Sequence, residues 1–339
     1  MSMRAKDIAK MTGVSVSTVS LVINDRPGVS DAKRRQILNT IKEQNCEYLL
    51  RNARSERENI GFIVYKRNGR IIDESPFFSY FLEGITERLK KLNYNLTMLY
   101  INSAMSCADQ NEIIRNAKCE GFIIFAVEMV YEDMQVFKDS NYPFIMLDNS
   151  FLFNDVDIVA INNFSGIRTA TNFLIRRGHR KIGYIRSKVV INSFKDRFAA
   201  FHNSLIQFGI DFNKSYVVSV GYSDAEARKD MYEYILACKD LPTAFVCDND
   251  LIACGAMRGI LDAGLCIPDD ISIIGFDDRP IASSSTPKLT TMMVPKDVFG
   301  NNCVDLLVEK IKSQRKYALK MEIGTILIER ESVCTLGAD

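Results

Sequence analysis

Lys6-Asp7-Ile8-Ala9-Lys10-Met11-Thr12-Gly13-Val14-Ser15-Val16-Ser17-Thr18-Val19-Ser20-Leu21-Val22-Ile23-Asn24 decides how the N-terminal part of this chain folds. The run Lys6 to Met11 sets Ile8, Ala9 and Met11 near one another on a helix, with Lys6 and Lys10 one turn apart on another face. Gly13 supplies a tight turn, where a positive φ costs glycine little. Ser15 is placed to cap a second helix. In that helix Val19, Val22 and Ile23 form the inward stripe, while Val16, Ser17, Ser20 and Leu21 point elsewhere. Arg26-Pro27-Gly28 breaks the chain. Ser30-Asp31 then opens a third helix, with Ile37, Leu38 and Ile41 inward and Lys33, Arg34 and Arg35 outward. Two short helices joined by a glycine turn form a helix-turn-helix, whose second helix lies in the major groove of DNA. The competing reading is any small three-helix domain.

Charge is distributed to match. Residues 1–58 carry eleven Lys/Arg against seven acids, a net of +4, while the remainder is −3 in a chain of net +1. A basic head on a mildly acidic body fits a phosphate-binding module attached to a domain that does not touch DNA. With 339 residues the chain exceeds one small core, so more than one domain is expected. Its nine cysteines are scattered, and none forms a Cys-x-x-Cys pair. Reduced thiols in a cytoplasmic protein are the expectation. No apolar signal core and no apolar run near the roughly 20 residues of a membrane span is present, so no membrane partner is expected.

From Ile60 the pattern changes. Strand-like runs at Ile60–Tyr65, Leu96–Ile101, Gly121–Val127, Phe144–Leu147, Ile158–Ile161, Lys181–Ile185, Tyr216–Val220, Ala244–Cys247 and Ile271–Phe276 alternate with helical runs. Such alternation argues for parallel α/β sheets covered by helices on both faces. Two units of this kind leave a cleft outside the strand C-ends, where ligands of open α/β sheets bind.

Asp7-Ile8-Ala9-Lys10, Gly13-Val14-Ser15, Thr18-Val19-Ser20, Val22-Ile23-Asn24 and Pro27-Gly28-Val29-Ser30 closely resemble the head of the lactose-repressor/galactose-repressor (LacI/GalR) family. The body resembles it too, through Asn162-Asn163, Gly178-His179-Arg180-Lys181-Ile182-Gly183, Asn249-Asp250 with Gly255-Ala256-Met257-Arg258, Gly275-Phe276-Asp277-Asp278 and Pro287-Lys288-Leu289-Thr290-Thr291. The resemblance implies a small all-α head and an α/β periplasmic-binding-protein-like body of two subdomains, parallel sheets with flanking helices, joined by three crossovers. The expected division is a head at 1–47, a linker at 48–59, one subdomain at 60–160 and 291–322, and another at 161–290 and 323–339.

By the same resemblance, Val16, Ser17 and Leu21 are base-reading positions and Ser15, Thr18, Ser20 and Asn24 phosphate contacts, with basic Arg4 and Lys6 counted in the interface. Family members commonly carry Arg where Leu21 stands. Arg grips guanine O6/N7 in a bidentate pair, whereas Leu packs only on a thymine methyl. The expected operator is near-palindromic, bound by a homodimer, with T·A steps opposite Leu21. The linker departs as well. Tyr48-Leu49-Leu50-Arg51-Asn52-Ala53-Arg54-Ser55-Glu56 keeps Ala53-Arg54 but lacks the family's Pro and Asn, and Glu56 stands where a minor-groove Leu is usual. A carboxylate is no wedge among phosphates, so a hinge helix and a shifted register through Leu49 or Leu50 both stay open.

The resemblance also implies an effector site made of Phe77, Phe78, Asp148, Asn149, Arg197, Tyr222, Asn249 and Asp277. Carboxylates, amides, an arginine and rings together suit a small molecule, a sugar first. Competing readings are a core role for Phe77 and Phe78, a cap at Asp277-Asp278, and a surface ion pair for Arg197. A sugar-transport protein and an α/β enzyme are the rival classes. The N-terminal head opposes the first. The second lacks a nucleophile elbow, a phosphate loop and metal-ligand spacing, with His179 reading as structural. No cofactor and no metal are expected, and a partner protein in place of a sugar stays open. Tyr65-Lys66-Arg67-Asn68-Gly69-Arg70-Ile71-Ile72-Asp73 is an insertion-like loop. Its Asn-Gly signal reads as a surface hairpin, or, if functional, as a border of the cleft or the head.

Overall fold

The computed structural model describes residues 3–23, 27–44, 46, 49, 58–74, 77–149, 151, 155–313 and 315–337. They form two compact units, one of the residues up to Glu58 with Asn93–Asn95, the other of Asn59–Leu92 and the residues from Leu96 on, called head and body below. Asn24 and most of the expected linker, residues 50–57, lie outside the described residues.

In the head, α1 (Ala5–Thr12), α2 (Val16–Ile23) and α3 (Asp31–Glu43) enclose Ile8, Ala9, Val19, Val22, Ile23, Ile37 and Ile41. Gly13 ends α1 in the left-handed region at φ 65°, and the Val14 N–H closes the turn on the Ala9 carbonyl at 3.1 Å. The Ser15 hydroxyl accepts the Thr18 N–H at 3.1 Å, which caps α2. Met11 departs from expectation. It is exposed, and Thr12 takes the inward place instead, with its hydroxyl donating to the Ile8 carbonyl. A helix turning 100° per residue carries Met11 away from the face that Ile8 and Thr12 share at i, i+4.

The body begins with β1 (Asn59–Lys66), α4 (Arg70–Glu74), α5 (Ser79–Lys91), β2 (Asn95–Asn102), α6 (Cys107–Asn116), β3 (Gly121–Phe125), α7 (Gln135–Asp139), β4 (Phe144–Leu147) and β5 (Asp157–Ile161). It continues with α8 (Asn163–Arg176), β6 (Ile182–Ser187), α9 (Asn192–Gln207), β7 (Val217–Val220), α10 (Asp224–Ala237), β8 (Ala244–Cys247), α11 (Asp250–Asp262), β9 (Ser272–Asp277) and α12 (Pro280–Ser284). It ends with β10 (Thr290–Met293), α13 (Lys296–Ser313), β11 (Lys320–Ile323) and β12 (Ile326–Ile328). The first sheet runs β11-β5-β4-β3-β1-β2, the second β12-β10-β9-β8-β6-β7. The pairings β1–β3, β3–β4, β4–β5 and β5–β11 are parallel, as are β7–β6, β6–β8, β8–β9 and β9–β10, while β12 closes the second sheet antiparallel. β3, β4, β8 and β9 are buried along their whole length, as strands covered on both faces must be.

Each sheet with its helices is one layer of the body, and the chain passes between the two three times, after Ile161, after Met293 and after Ile323. The second passage falls later than the 290/291 boundary expected, because β10 pairs with β9 and β12 in the second sheet. Tyr65–Asp73 is also not a hairpin. β1 runs to Lys66, a turn follows, and Arg70–Glu74 is a helical turn with Ile71 and Ile72 buried. Two apolar residues that must be covered pull this segment onto the body rather than into solvent. Among the described residues no helix is long and apolar enough to cross a membrane.

Candidate functional site

On the head, α2 turns Val16, Ser17 and Ser20 to solvent, with Thr18 and Leu21 half-buried beside them. Val16, a large apolar side chain, is 51% exposed. The Ser15 hydroxyl lies 2.7 Å from Ser17 Oγ and 2.8 Å from Thr18 Oγ1, so three hydroxyls gather at the start of the helix. Arg4, Lys6 and Lys10 are exposed on and just before α1. A helix start rich in N–H groups and hydroxyls, flanked by cations, suits phosphate oxygens.

In the body, the strand C-ends of both sheets converge on one cleft. β4 delivers Asp148 and β9 delivers Asp277, both at positive φ, where a short polar side chain is tolerated. β8 delivers Asp248 and Asn249, the first turns of α9 carry Ser193, Phe194 and Arg197, and Tyr222 follows β7. The space between them is about 20 Å³, room for about one water molecule. Phe77, Asp148, Arg197, Tyr222, Asn249 and Asp277 line it.

Arg197 is buried in the cleft, so the surface ion-pair reading does not hold. Its Nε donates to Asn163 Oδ1 at 2.8 Å, Nη1 to the Asp248 carbonyl and Nη2 to Asp277 Oδ1 at 3.4 Å, while the guanidinium lies 3.7 Å from the centre of the Phe276 ring. Asp277 also accepts Arg279 Nε at 3.0 Å. Arg279 in turn lies 5.0 Å from the Phe77 ring centre, on the other side of the cleft. Asn249 caps α11 through the Ile252 N–H at 3.2 Å and donates to the Tyr222 hydroxyl at 3.1 Å, so it holds Tyr222 6.1 Å from Phe194.

Burial, with the Asp277 charge adding to it against Arg197 and Arg279, pushes the Asp148 carboxyl up to about 7. Asp250, whose oxygens accept Thr291 Oγ1 at 2.5 Å and the Arg279 N–H at 2.7 Å, is also raised to about 7, again chiefly by burial. Near neutral pH, then, Asp148 serves as donor or acceptor. Two cations, Asp277 and a titrating carboxyl make a site that grips hydroxyl and N–H groups without a large net charge.

Two expected residues sit elsewhere. Phe78 is half-buried, 6.3 Å from Phe62 and 5.8 Å from Phe125, and does not line the cavity. Asn149 donates to the Ala126 and Met129 carbonyls at 2.6 and 3.0 Å and accepts from Asn192 Nδ2 at 3.1 Å, tying the two layers together behind the cavity. Sequence reading missed Arg279 and Phe194 on the cavity wall, while Ile71, also there, lies in the loop read as a hairpin or a border of the cleft. Arg279 stood two residues beyond Asp277, at a strand end already singled out. His179 is fully buried with Nδ1 2.9 Å from Thr243 Oγ1, and burial lowers its pKa, so the ring stays neutral and structural. Among the described residues no cluster of three or more His, Cys, Asp or Glu is placed to hold a metal.

Residues 5–47 match the family of bacterial regulatory proteins named lacI, and residues 171–333 match the periplasmic binding protein-like domain. The HTH-type transcriptional repressor PurR of Pasteurella multocida (strain Pm70) is 30% identical over 334 residues, 97% of this chain and 98% of that protein. The chain belongs to the LacI family. It is a DNA-binding transcriptional repressor with an effector-binding domain, and not an enzyme. Two solved structures share its architecture. The lac repressor dimer bound to operator and the anti-inducer ONPF is 22% identical, with TM-score 0.72 over 98% of this chain and 100% of that one. A LacI family regulator from Enterococcus faecium with bound ribose is 26% identical, with TM-score 0.70 over 83% of this chain and 100% of that one.

Proposed function

We propose that this LacI-family repressor binds a near-palindromic operator as a homodimer and is controlled by a small polyhydroxylated effector, a sugar, held in the body cleft. The observation that carries the effector class is the pairing of Arg197 and Arg279 on Asp277 beside Asp148, Phe77 and Tyr222. Arginines and carboxyls hydrogen-bond ring hydroxyls, and aromatic rings cover the C–H faces of a sugar. The relative solved with bound ribose supports the same class. On the head, Ser15, Ser17, Thr18, Ser20 and Asn24 take phosphates or base edges with Arg4 and Lys6, while Val16 and Leu21 meet thymine methyls. The proposed effector residues are Phe77, Asp148, Arg197, Tyr222, Asn249 and Asp277. Phe78 and Asn149 act behind them.

A cavity of about 20 Å³ holds no sugar, so binding requires the two layers to part and reclose. The effector changes operator affinity only through its different affinity for those two arrangements. The Phe194–Tyr222 ring pair favours a second reading, a planar heterocycle stacked between rings. Melting of the full-length protein with mono- and oligosaccharides and with nucleobases separates the two. A sugar that raises the melting temperature in wild type and not in Arg197→Ala or Asp277→Ala is the expected result. A nucleobase as the sole hit rejects the sugar, and a hit retained in both variants rejects the site. Operator binding that is absent, or insensitive to salt, rejects the repressor's DNA contacts.

A further inference from the structure

The segment between β1 and α5, an oddity in the sequence, is built into the cleft. Glu128, just past β3, is 5% exposed. One of its carboxylate oxygens accepts the N–H groups of Arg67, Asn68 and Gly69 at 2.9, 3.1 and 2.9 Å, and the other those of Ile71 and Ile72 at 2.9 and 3.4 Å. Five backbone donors on one buried carboxylate fix a turn and the start of a helix in one geometry. Arg67 Nη1 donates to both carboxylate oxygens of Asp133, at 2.9 and 2.8 Å, and Lys66 pairs with Asp73. The segment is thus clamped to the first layer.

From that clamp it reaches the second layer. Arg70 Nη2 lies 3.2 Å from both carboxylate oxygens of Glu226 on α10. Glu226 is pre-positioned there, because it also accepts the N–H and hydroxyl of Ser223 at the start of that helix. The next residue along the chain, Ile71, is 4% exposed and lines the cavity. We propose that residues 67–74 cover the cleft mouth, that the Arg70–Glu226 pair is the latch holding this cover to the second layer, and that Ile71 limits the effector to a single ring. The size limit rests on the sugar reading above; the latch does not. A second ring attached to one held by Asp277 would have to occupy the place of Ile71 or part Arg70 from Glu226.

Hydrogen exchange of the full-length protein tests the latch without any ligand. Arg70→Gln and Glu226→Gln, the second of which keeps an acceptor for Ser223, are each expected to speed exchange at amides 67–72 by roughly two- to fivefold, the factor for an exposed ion pair. The double variant Arg70→Gln/Glu226→Gln, which also keeps the acceptor for Ser223, is expected to exchange no faster than either single variant, since the same pair is lost in all three. Wild-type exchange in both single variants, or additive acceleration in the double variant, overturns the latch. For size, D-ribose and D-glucose are compared with cellobiose by thermal shift. A response to the single-ring sugars alone in wild type, extended to cellobiose in Ile71→Ala, supports the limit, and a cellobiose response in wild type overturns it. No response to any sugar, beside latch-dependent exchange, rejects the sugar reading and the size limit while the latch stands.

Discussion

Leu21 sits half-buried on α2, close enough to Gly28 that a Cβ there would lie 3.7 Å from Leu21 Cδ1. It is on the face of the helix that also shows Val16 and Ser17 to solvent, yet it offers no hydrogen-bond donor. Leu21→Arg restores a side chain able to reach guanine O6 and N7. The variant is expected to gain about 1–3 kcal/mol of preference for G·C opposite this position, read by comparing binding to operators that differ at that step. Selected wild-type sites with an invariant guanine there would contradict the reading. Single residues of the cleft were unevenly legible. Asp277 and Tyr222, at strand ends, and Arg197, on the first turns of α9, followed from the family resemblance, and all three line the cavity. Phe77 and Phe78 were not separable in sequence. Adjacent residues point apart, and only the packing of Phe78 on Phe62 and Phe125 decides which one reaches the cavity.

Among the elements, those with strong periodicity were the readable ones. β4 and β8 lie where the apolar runs Phe144–Leu147 and Ala244–Cys247 predicted, because a strand buried on both faces needs an unbroken apolar run. β10, β11 and β12 were missed. They are three or four residues long, and β11 carries Lys320 and Glu322 at the edge of its sheet, so the hydrogen bonds of a neighbouring strand rather than an apolar pattern create it. The α10–α11 contact shows the opposite case, in which sequence carries the constraint directly. A Cβ at Gly259 would lie 2.3 Å from the Arg228 carbonyl oxygen and 2.9 Å from the Tyr232 nitrogen, and one at Gly255 would lie 2.6 Å from the Asp224 carbonyl oxygen. These neighbours are backbone and cannot swing aside, so the helices must part. Gly259→Ala is expected to destabilise the body by about 1–3 kcal/mol. Gly324→Ala, with nothing within 4 Å of the added Cβ, is expected to leave stability unchanged or slightly raised. Urea unfolding of the two variants checks the contrast, and equal midpoints would show that the helix contact is not tight.

At the scale of the whole molecule, folding takes carboxyls of both sheets out of water. Asp148 comes from the first sheet, and Asp248, Asp250 and Asp277 from the second. Burial raises Asp148 and Asp250 to about 7 and Asp248 to about 6, against an ordinary value of 3.8. In these three groups the folded state holds protons that the unfolded chain has already released between pH 4 and 7. Stability therefore falls as pH rises through that window, since the folded form binds more protons than the unfolded. The expected melting temperature is highest near pH 5 and declines toward pH 8. Asp148→Asn, which mimics the protonated acid in shape and carries no charge, is expected to flatten part of the decline and to melt higher than wild type at pH 8. An effector whose hydroxyls donate to Asp148 would stabilise its charged form and flatten the same decline. Melting curves of wild type and Asp148→Asn at pH 5, 6, 7 and 8 decide the matter. Stability that rises from pH 5 to pH 8 in wild type, or an unchanged slope in the variant, would show that these buried acids do not govern stability in this range.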